Sequence, residues 1–197
     1  MNLSTNIVRF QIITIIVGLA IDKSIAAMLD KPSLFKTLCS AYFLITLLNF
    51  YHGKIATTEA ETYVKKQAGH PLGLLLDYCL NVLLTGSFLF IAYVLPSFTS
   101  FVAANIAMRV FDLGLVIFAF WTMGGDDGRA TRNAHIYWGL YDILMIAVLC
   151  VFCMLPMSRS VVPPVCLPVL LLCLGATDIV LDYTLNASFY FGSNKHG

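Results

Sequence analysis

Runs of about 20 predominantly apolar residues recur along the whole chain, separated by short polar stretches. They cover Ile7–Leu29, Leu34–Tyr51, Leu72–Leu95, Phe98–Thr122, His135–Leu155 and Val161–Leu185. As α-helices, such runs cross a hydrocarbon core of about 30 Å. The pattern predicts an all-α integral membrane protein, a bundle of about six transmembrane helices, with residues 1–197 as a single polytopic membrane domain. Gly18-Leu19-Ala20 offers a small-residue cleavage site, but Arg9 alone is a thin basic n-region and apolar sequence resumes at Ile25, so a cleaved signal peptide is not expected.

The connections set the topology. The stretch PSFTS at 96–100 is so short that the third and fourth spans must form an antiparallel hairpin. Arg9, Lys54, Lys65, Lys66, Arg129, Arg132 and Lys195 fall on the side of the termini, against Lys23, Lys31, Lys36 and Arg159 on the other. The excess predicts both termini in the cytoplasm, and the expected location is the cytoplasmic (inner) membrane of a prokaryote. The longest connection, 53–71, carries Thr58-x-x-Glu61 as a capping box and Gly69 and Pro71 as stops, predicting a short interfacial helix. Pro168 predicts a kink or break in the outer third of the last span.

Helical spacing then sorts the polar residues onto stripes. These are Gln11, Thr14, Gly18 and Asp22; Tyr42, Thr46, Asn49 and His52; Asp77, Asn81 and Thr85; Asn105, Arg109 and Asp112; His135, Trp138 and Asp142; and Gly175, Asp178, Asp182 and Asn186. A bundle with such helices is expected to turn its polar seams inward. Energetics agrees for the last span. Its thirteen Val, Leu and Ile residues favour insertion by roughly 6 kcal/mol, and two aspartates at about 2.5–3.5 kcal/mol each nearly cancel that if they face lipid.

Asp77 and Asp182 sit in near-identical hexapeptides, LDYCLN at 76–81 and LDYTLN at 181–186. The two copies lie on helices of opposite direction and at different depths from their helix starts, so they are not an internal repeat. They do share a leaflet with Asn49, His52, Asn81, Asp112, Asp142 and Asp178. The expected site is therefore a polar cavity open to the cytoplasm, lined by Asn49, His52, Asp77, Asn81, Arg109, Asp112, Asp142, Asp178 and Asp182. Arg109 and Asp112, three apart on one helix, are expected to pair. Tyr51, Trp121, Trp138 and Tyr190 lie near span boundaries and read as aromatic-belt anchors.

Composition adds exclusions. The chain is 59% hydrophobic and 12% charged with a formal net charge of +1, so it has no basic surface for nucleic acid. The six cysteines fall inside spans and read as small buried residues; Cys150-x-x-Cys153 would need Cys166 and Cys173 to complete a zinc site. The stretch DGRATRNAHIYWGLYD at 127–142 loosely resembles the signature of the CDP-alcohol phosphotransferases through Asp127, Gly128 and Arg132. However, Gly124 and Ile146 stand where that family has aspartates, and Gly139 and Asp142 come too early. The chain is not assigned to it.

An acidic intramembrane cavity points first to a channel or carrier for a cation or a cationic solute. One alternative is a membrane subunit that senses or anchors a soluble cytoplasmic protein partner through the 53–71 loop. Another is a membrane-embedded enzyme on a lipid or diphosphate, with Asp77, Asp178 and Asp182 holding a divalent metal. The bilayer is the expected surrounding and a homo-oligomer a possible assembly; no motif names a cofactor or a metal. If the cavity carries the function, Asp182→Asn is expected to alter transport and leave folding near normal.

Overall fold

A computed structural model describes residues 3–30, 32–59, 71–95, 97–122, 129–154 and 165–191. Among them every element is helical and none is a strand: α1 Leu3–Leu29, α2 Leu34–Glu59, α3 Pro71–Val94, α4 Phe98–Thr122, α5 Arg129–Met154, α6 Cys166–Leu185 and α7 Ala187–Phe191. Five of these (α1, α2, α4, α5 and α6) contain stretches long and apolar enough to cross a membrane. Helix α3 has 24 residues, about 36 Å of helix, and its stretch Cys79–Val94 is apolar.

The tight turns are built from local chemistry. Ser33 caps α2, its Oγ accepting from the Lys36 N–H at 3.2 Å, while Lys36 Nζ donates to the Asp30 carbonyl at 2.6 Å. The Ser97 N–H donates to the Val94 carbonyl, and the Ser97 carbonyl accepts from Phe101 N–H, so α3 and α4 are joined by a reversal of a few residues.

The helices close into a ring in the order α1, α3, α4, α5, α6, α2. In the half away from the chain's N-terminus, its interior is mainly apolar, with Phe43, Phe101, Met145, Leu149, Leu167 and Leu171 buried alongside Ser24, Ser40 and Asn105. Large apolar side chains also cover the outside, among them Ile15, Leu48, Leu83, Val110, Ile117, Leu140, Val151, Val180 and Leu185. Buried inside are Asn81, Thr85, Asn105, Arg109, His135, Asp142, Asp178, Asp182 and Asn186. Apolar outside and polar within suits a hydrocarbon surrounding and would be an aggregation hazard in water.

Close approach of helices relies on glycine. A Cβ on Gly139 of α5 would meet Val116 Cγ1 of α4 at 3.2 Å. On Gly175 of α6 it would meet Tyr42 of α2 at 3.5 Å.

Four expectations change. Helix α2 runs unbroken through Gly53 to Glu59, so Thr58 ends that helix where a new one was expected to start; Glu61 and the rest of 60–70 lie outside the described residues. Pro168 stands in the first turn of α6, which begins at Cys166. There its missing N–H has no intrahelical partner to lose; residues 161–164, the outer part of the expected span, lie outside the described residues. The α1 stripe Gln11, Thr14, Gly18 and Asp22 is exposed, because α1 buries the apolar face of Ile13, Val17 and Ala20 instead. Of the cysteines only Cys39 is buried; Cys79, Cys150, Cys153, Cys166 and Cys173 lie on the outer surface. A thiol is apolar enough to face lipid.

Candidate functional site

The polar side chains of α2, α4, α5 and α6 meet around a cavity of about 80 Å³. Its walls come from Asn49, Phe50 and Gly53 of α2, Arg109, Asp112 and Val116 of α4, His135, Trp138, Tyr141 and Asp142 of α5, Asp178 and Asp182 of α6, and Tyr190 of α7. The C-terminal ends of α2, α4 and α6 and the N-terminal end of α5 converge here, so the cavity lies in one half of the bundle. Spacing of three or four residues stacks the groups in tiers about one 5.4 Å turn apart.

The deepest tier lies near mid-helix. Arg109 Nη1 donates to Asp142 Oδ1 at 2.9 Å and Nη2 donates to the Tyr42 hydroxyl at 3.3 Å. The guanidinium also lies 4.9 Å from the centre of the Tyr141 ring. Arg109 is 5% exposed and Asp142 1%, so the pair is desolvated and held between two helices. The described ion pair of Arg109 is thus with Asp142 on α5, where the sequence suggested Asp112 on its own helix. An i, i+3 neighbour must compete with a carboxylate across the seam, and the inward-pointing guanidinium favours the latter.

In the middle tier Tyr137 donates to Asp178 Oδ1 at 2.9 Å and Asn49 Nδ2 donates to Oδ2 at 3.3 Å. One carboxylate therefore ties α5, α6 and α2 together.

The outer tier is Asp182, fully buried and held by three donors. Trp138 Nε1 and Asn186 Nδ2 reach its Oδ1 at 3.0 and 2.6 Å, and the Tyr190 hydroxyl reaches its Oδ2 at 2.5 Å. Burial, followed by the bond to Asp182, raises the pKa of the Tyr190 phenol above its ordinary value, so this donor keeps its proton. Asn186 ends α6, and α7 folds back to bring Tyr190 over Asp182. Gly53 packs against this tier: a Cβ there would lie 3.6 Å from Trp138 and 3.7 Å from the Tyr190 hydroxyl, ordinary contact distances. Beside this tier His52 Nδ1 hydrogen-bonds the Tyr183 hydroxyl, and the rings of His52, Tyr183 and Tyr190 are nearly parallel with centroids 4.7–5.3 Å apart.

Of the residues expected from the sequence, Asn49, Arg109, Asp112, Asp142, Asp178 and Asp182 line the cavity. His52 instead joins the Tyr183–Tyr190 stack at its edge. Asn81 is buried in α3, where its carbonyl accepts from Thr85, and is not among the lining residues. The side chain of Asp77 lies outside the described residues.

Trp138 and Tyr190, expected as belt anchors, turn inward to Asp182. Trp138 stands four residues before Asp142 on the same stripe, a signal already in the sequence. Tyr190 continues the α6 stripe, four residues after Asn186 and eight after Asp182, but lies beyond the end of the expected span. Tyr137, Tyr141 and Tyr183 were missed because tyrosine is at home on either face of a membrane helix.

Four aspartates (Asp112, Asp142, Asp178 and Asp182), one arginine and one histidine are among the described lining residues. Asp142 Oδ2, Asn49 Oδ1, the Tyr141 hydroxyl and Arg109 Nε are shut off from solvent and have no hydrogen-bond partner among the described residues. No group of three or more His, Cys, Asp or Glu side chains among the described residues is placed to hold a metal ion.

Fold and site together define the class, an all-helical protein with the helices of a multi-pass membrane protein and an acidic cavity inside its ring. Compared with protein-family models, with curated proteins and with solved structures, the chain matches none.

Proposed function

We propose that this protein is a membrane carrier for a small cation, with the cavity between α2, α4, α5 and α6 as its binding site. The observation that carries the reading is the cavity itself, lined by Asp112, Asp142, Asp178 and Asp182 with Arg109 as the one arginine among the described lining residues. A cation entering there finds acceptors already desolvated and held in place by neighbouring helices. In this reading α3 spans as well, giving six spans with both termini cytoplasmic, and the cavity faces the cytoplasm. The Lys/Arg excess on that side supports the orientation.

A carrier is favoured over a standing pore by what lies beyond Arg109. The other half of the ring is filled with Phe43, Phe101, Met145, Leu149, Leu167 and Leu171. A cation would cross only after those side chains repack, which suits a binding site exposed to one side at a time. The test is flux into liposomes containing the purified chain, with Asp178→Asn alongside. Protein-dependent cation flux that falls at least tenfold in a well-folded Asp178→Asn supports the carrier. No flux of any cation under ion, pH or voltage gradients, from protein shown to be folded, overturns it.

A further inference from the structure

One carboxyl group at mid-membrane lies outside the ring. Asp22 of α1 is exposed, and among the described residues no hydrogen bond or ion pair reaches it. Its depth follows from the helix beside it. The hydroxyls of Thr14 on α1 and Tyr51 on α2 lie 3.1 Å apart and set the register of this antiparallel pair. Eight residues further along α1, and as many back along α2, Asp22 comes level with Phe43. The residue before Phe43 is Tyr42, whose hydroxyl accepts from Arg109. Asp22 therefore sits about as deep as the Arg109–Asp142 pair, on the side of the wall that faces lipid. It also falls near the middle of the apolar stretch Gln11–Leu29. A carboxyl group is costly at that depth and is ordinarily covered by protein or water.

The face around it has the pattern of a helix interface. Gln11, Ile15, Gly18, Asp22, Ile25 and Leu29 are all exposed and follow one another in alternating steps of four and three residues. This is the repeat that keeps one helix against another over its whole length. The ring neighbours α2 and α3 take the opposite face, that of Ile13, Val17 and Ala20. At Gly18 a Cβ would meet nothing within 4 Å, so the exposed seam has a notch near its centre. Small residues at such points let membrane helices approach closely.

We infer that α1 docks against α1 of a second copy of this chain, in a twofold pair with Asp22 facing Asp22 across the seam. Two copies inserted with one orientation are related by an axis along the membrane normal, so each seam residue meets its own counterpart at the same depth. The polar groups of the seam suit that geometry because each complements itself. The Gln11 amide carries both donors and an acceptor. Two carboxyl groups with one proton between them form a hydrogen bond from acid to carboxylate. A helix of another protein bearing Lys or Arg would satisfy Asp22 but leaves the length of the repeat unexplained. Helix α1 contributes none of the described lining residues of the cavity, so the pairing does not depend on what the cavity binds.

The test is the oligomeric state of the full chain, labelled with a fluorophore at one terminus and read by single-molecule photobleaching in phosphatidylcholine vesicles. Pairs are expected, giving way to monomers as the protein is diluted into more lipid. Gly18→Leu fills the notch and should weaken pairing by about tenfold or more. Its control is Gly114→Leu on α4, where the glycine is also exposed and an added Cβ also meets nothing within 4 Å. That variant should leave pairing unchanged. Asp22→Leu removes the central hydrogen bond and should weaken pairing by about fivefold or more. Asp22→Asn keeps a group that complements itself and should pair nearly as well as the unsubstituted chain.

Monomers at every dilution overturn the inference and assign the seam to a basic helix of another protein. Trimers or larger assemblies overturn the twofold arrangement. Pairs that survive Gly18→Leu, or that Gly114→Leu breaks as readily, place the contact on another face of the ring and overturn it as well. Asp22→Leu pairing as tightly as the unsubstituted chain overturns the meeting of the two carboxyl groups. Both glycine variants add side chains only where the protomer leaves open space, so a difference between them reads the contact between copies and not the fold.

Discussion

Arg109 of α4 and Asp142 of α5 meet across the helix seam, Nη1 to Oδ1 at 2.9 Å, near the middle of both helices and almost wholly out of solvent. Removing one member of such a pair strands the other's charge, at about 3–5 kcal/mol. Arg109→Met and Asp142→Leu are each expected to lose about that much stability. The double variant, which leaves two apolar side chains in contact, should recover most of it. Unfolding in mixed micelles, read by circular dichroism, closes the double-mutant cycle. Additive losses would mean that the pair is not coupled.

The two α6 aspartates should separate by role. Asp182 serves three donors from α5, α6 and α7. Asp182→Leu strands all three, at about 1–3 kcal/mol each, and little folded protein should survive detergent extraction. Even Asp182→Asn turns an amide NH₂ toward groups that need an acceptor and should lower the melting temperature. Spacing alone had suggested that this substitution leaves folding intact. Asp178→Asn keeps an oxygen for Tyr137 and should give near wild-type yield by size-exclusion chromatography.

The α7 fold-back is expected to depend on Tyr190. Tyr190→Phe removes one of the bonds to Asp182 while keeping the ring that stacks on His52 and Tyr183. Loss of a hydrogen bond to a charged group is worth about 1.5–3 kcal/mol. Amide hydrogen exchange over 187–191 should therefore accelerate by at least tenfold, with α1 to α5 unaffected. Equal acceleration everywhere would indicate global destabilisation and no specific latch.

How much of this was legible in the sequence follows from which interactions obey a period. Five of the six expected spans were, because crossing a bilayer demands length and apolarity of each helix separately. The convergence of Asn49, Asp142, Asp178 and Asp182 in one half was legible too, since direction and depth place each along its own helix. Rotation was not. The α1 stripe Gln11, Thr14, Gly18 and Asp22 looks outward because packing against α2 and α3 follows Ile13, Val17 and Ala20, and a polar period does not reveal which face neighbours will choose. Pairing was not legible either, as Arg109 chose Asp142 from a helix whose position only the fold supplies. Tyr190 lies beyond the expected end of the last span, so the stripe of Asp178, Asp182 and Asn186 was not followed out to it.

Two glycines in the helix seams should respond differently to alanine. At Gly175 an added Cβ meets Tyr42 Cδ2 and Cε2 at 3.5 and 3.6 Å and Ile45 Cγ2 at 3.7 Å, ordinary contact distances. Gly175→Ala should thus change stability by less than about 1 kcal/mol, with helix propensity on its side. At Gly139 the new atom lies 3.2 Å from Val116 Cγ1. Valine in a helix has essentially one rotamer, so Val116 yields only by shifting α4 against α5. Gly139→Ala is expected to destabilise by about 1–3 kcal/mol, the range for overpacking. Because that seam also holds Arg109 against Asp142, the same variant should loosen the ion pair and weaken ligand binding. Adding Val116→Ala returns the space and should restore both. Thermal unfolding and cation flux of Gly139→Ala, Val116→Ala and the double variant test this together, and a double variant no better than Gly139→Ala alone would mean that the contact with Val116 does not set the helix spacing.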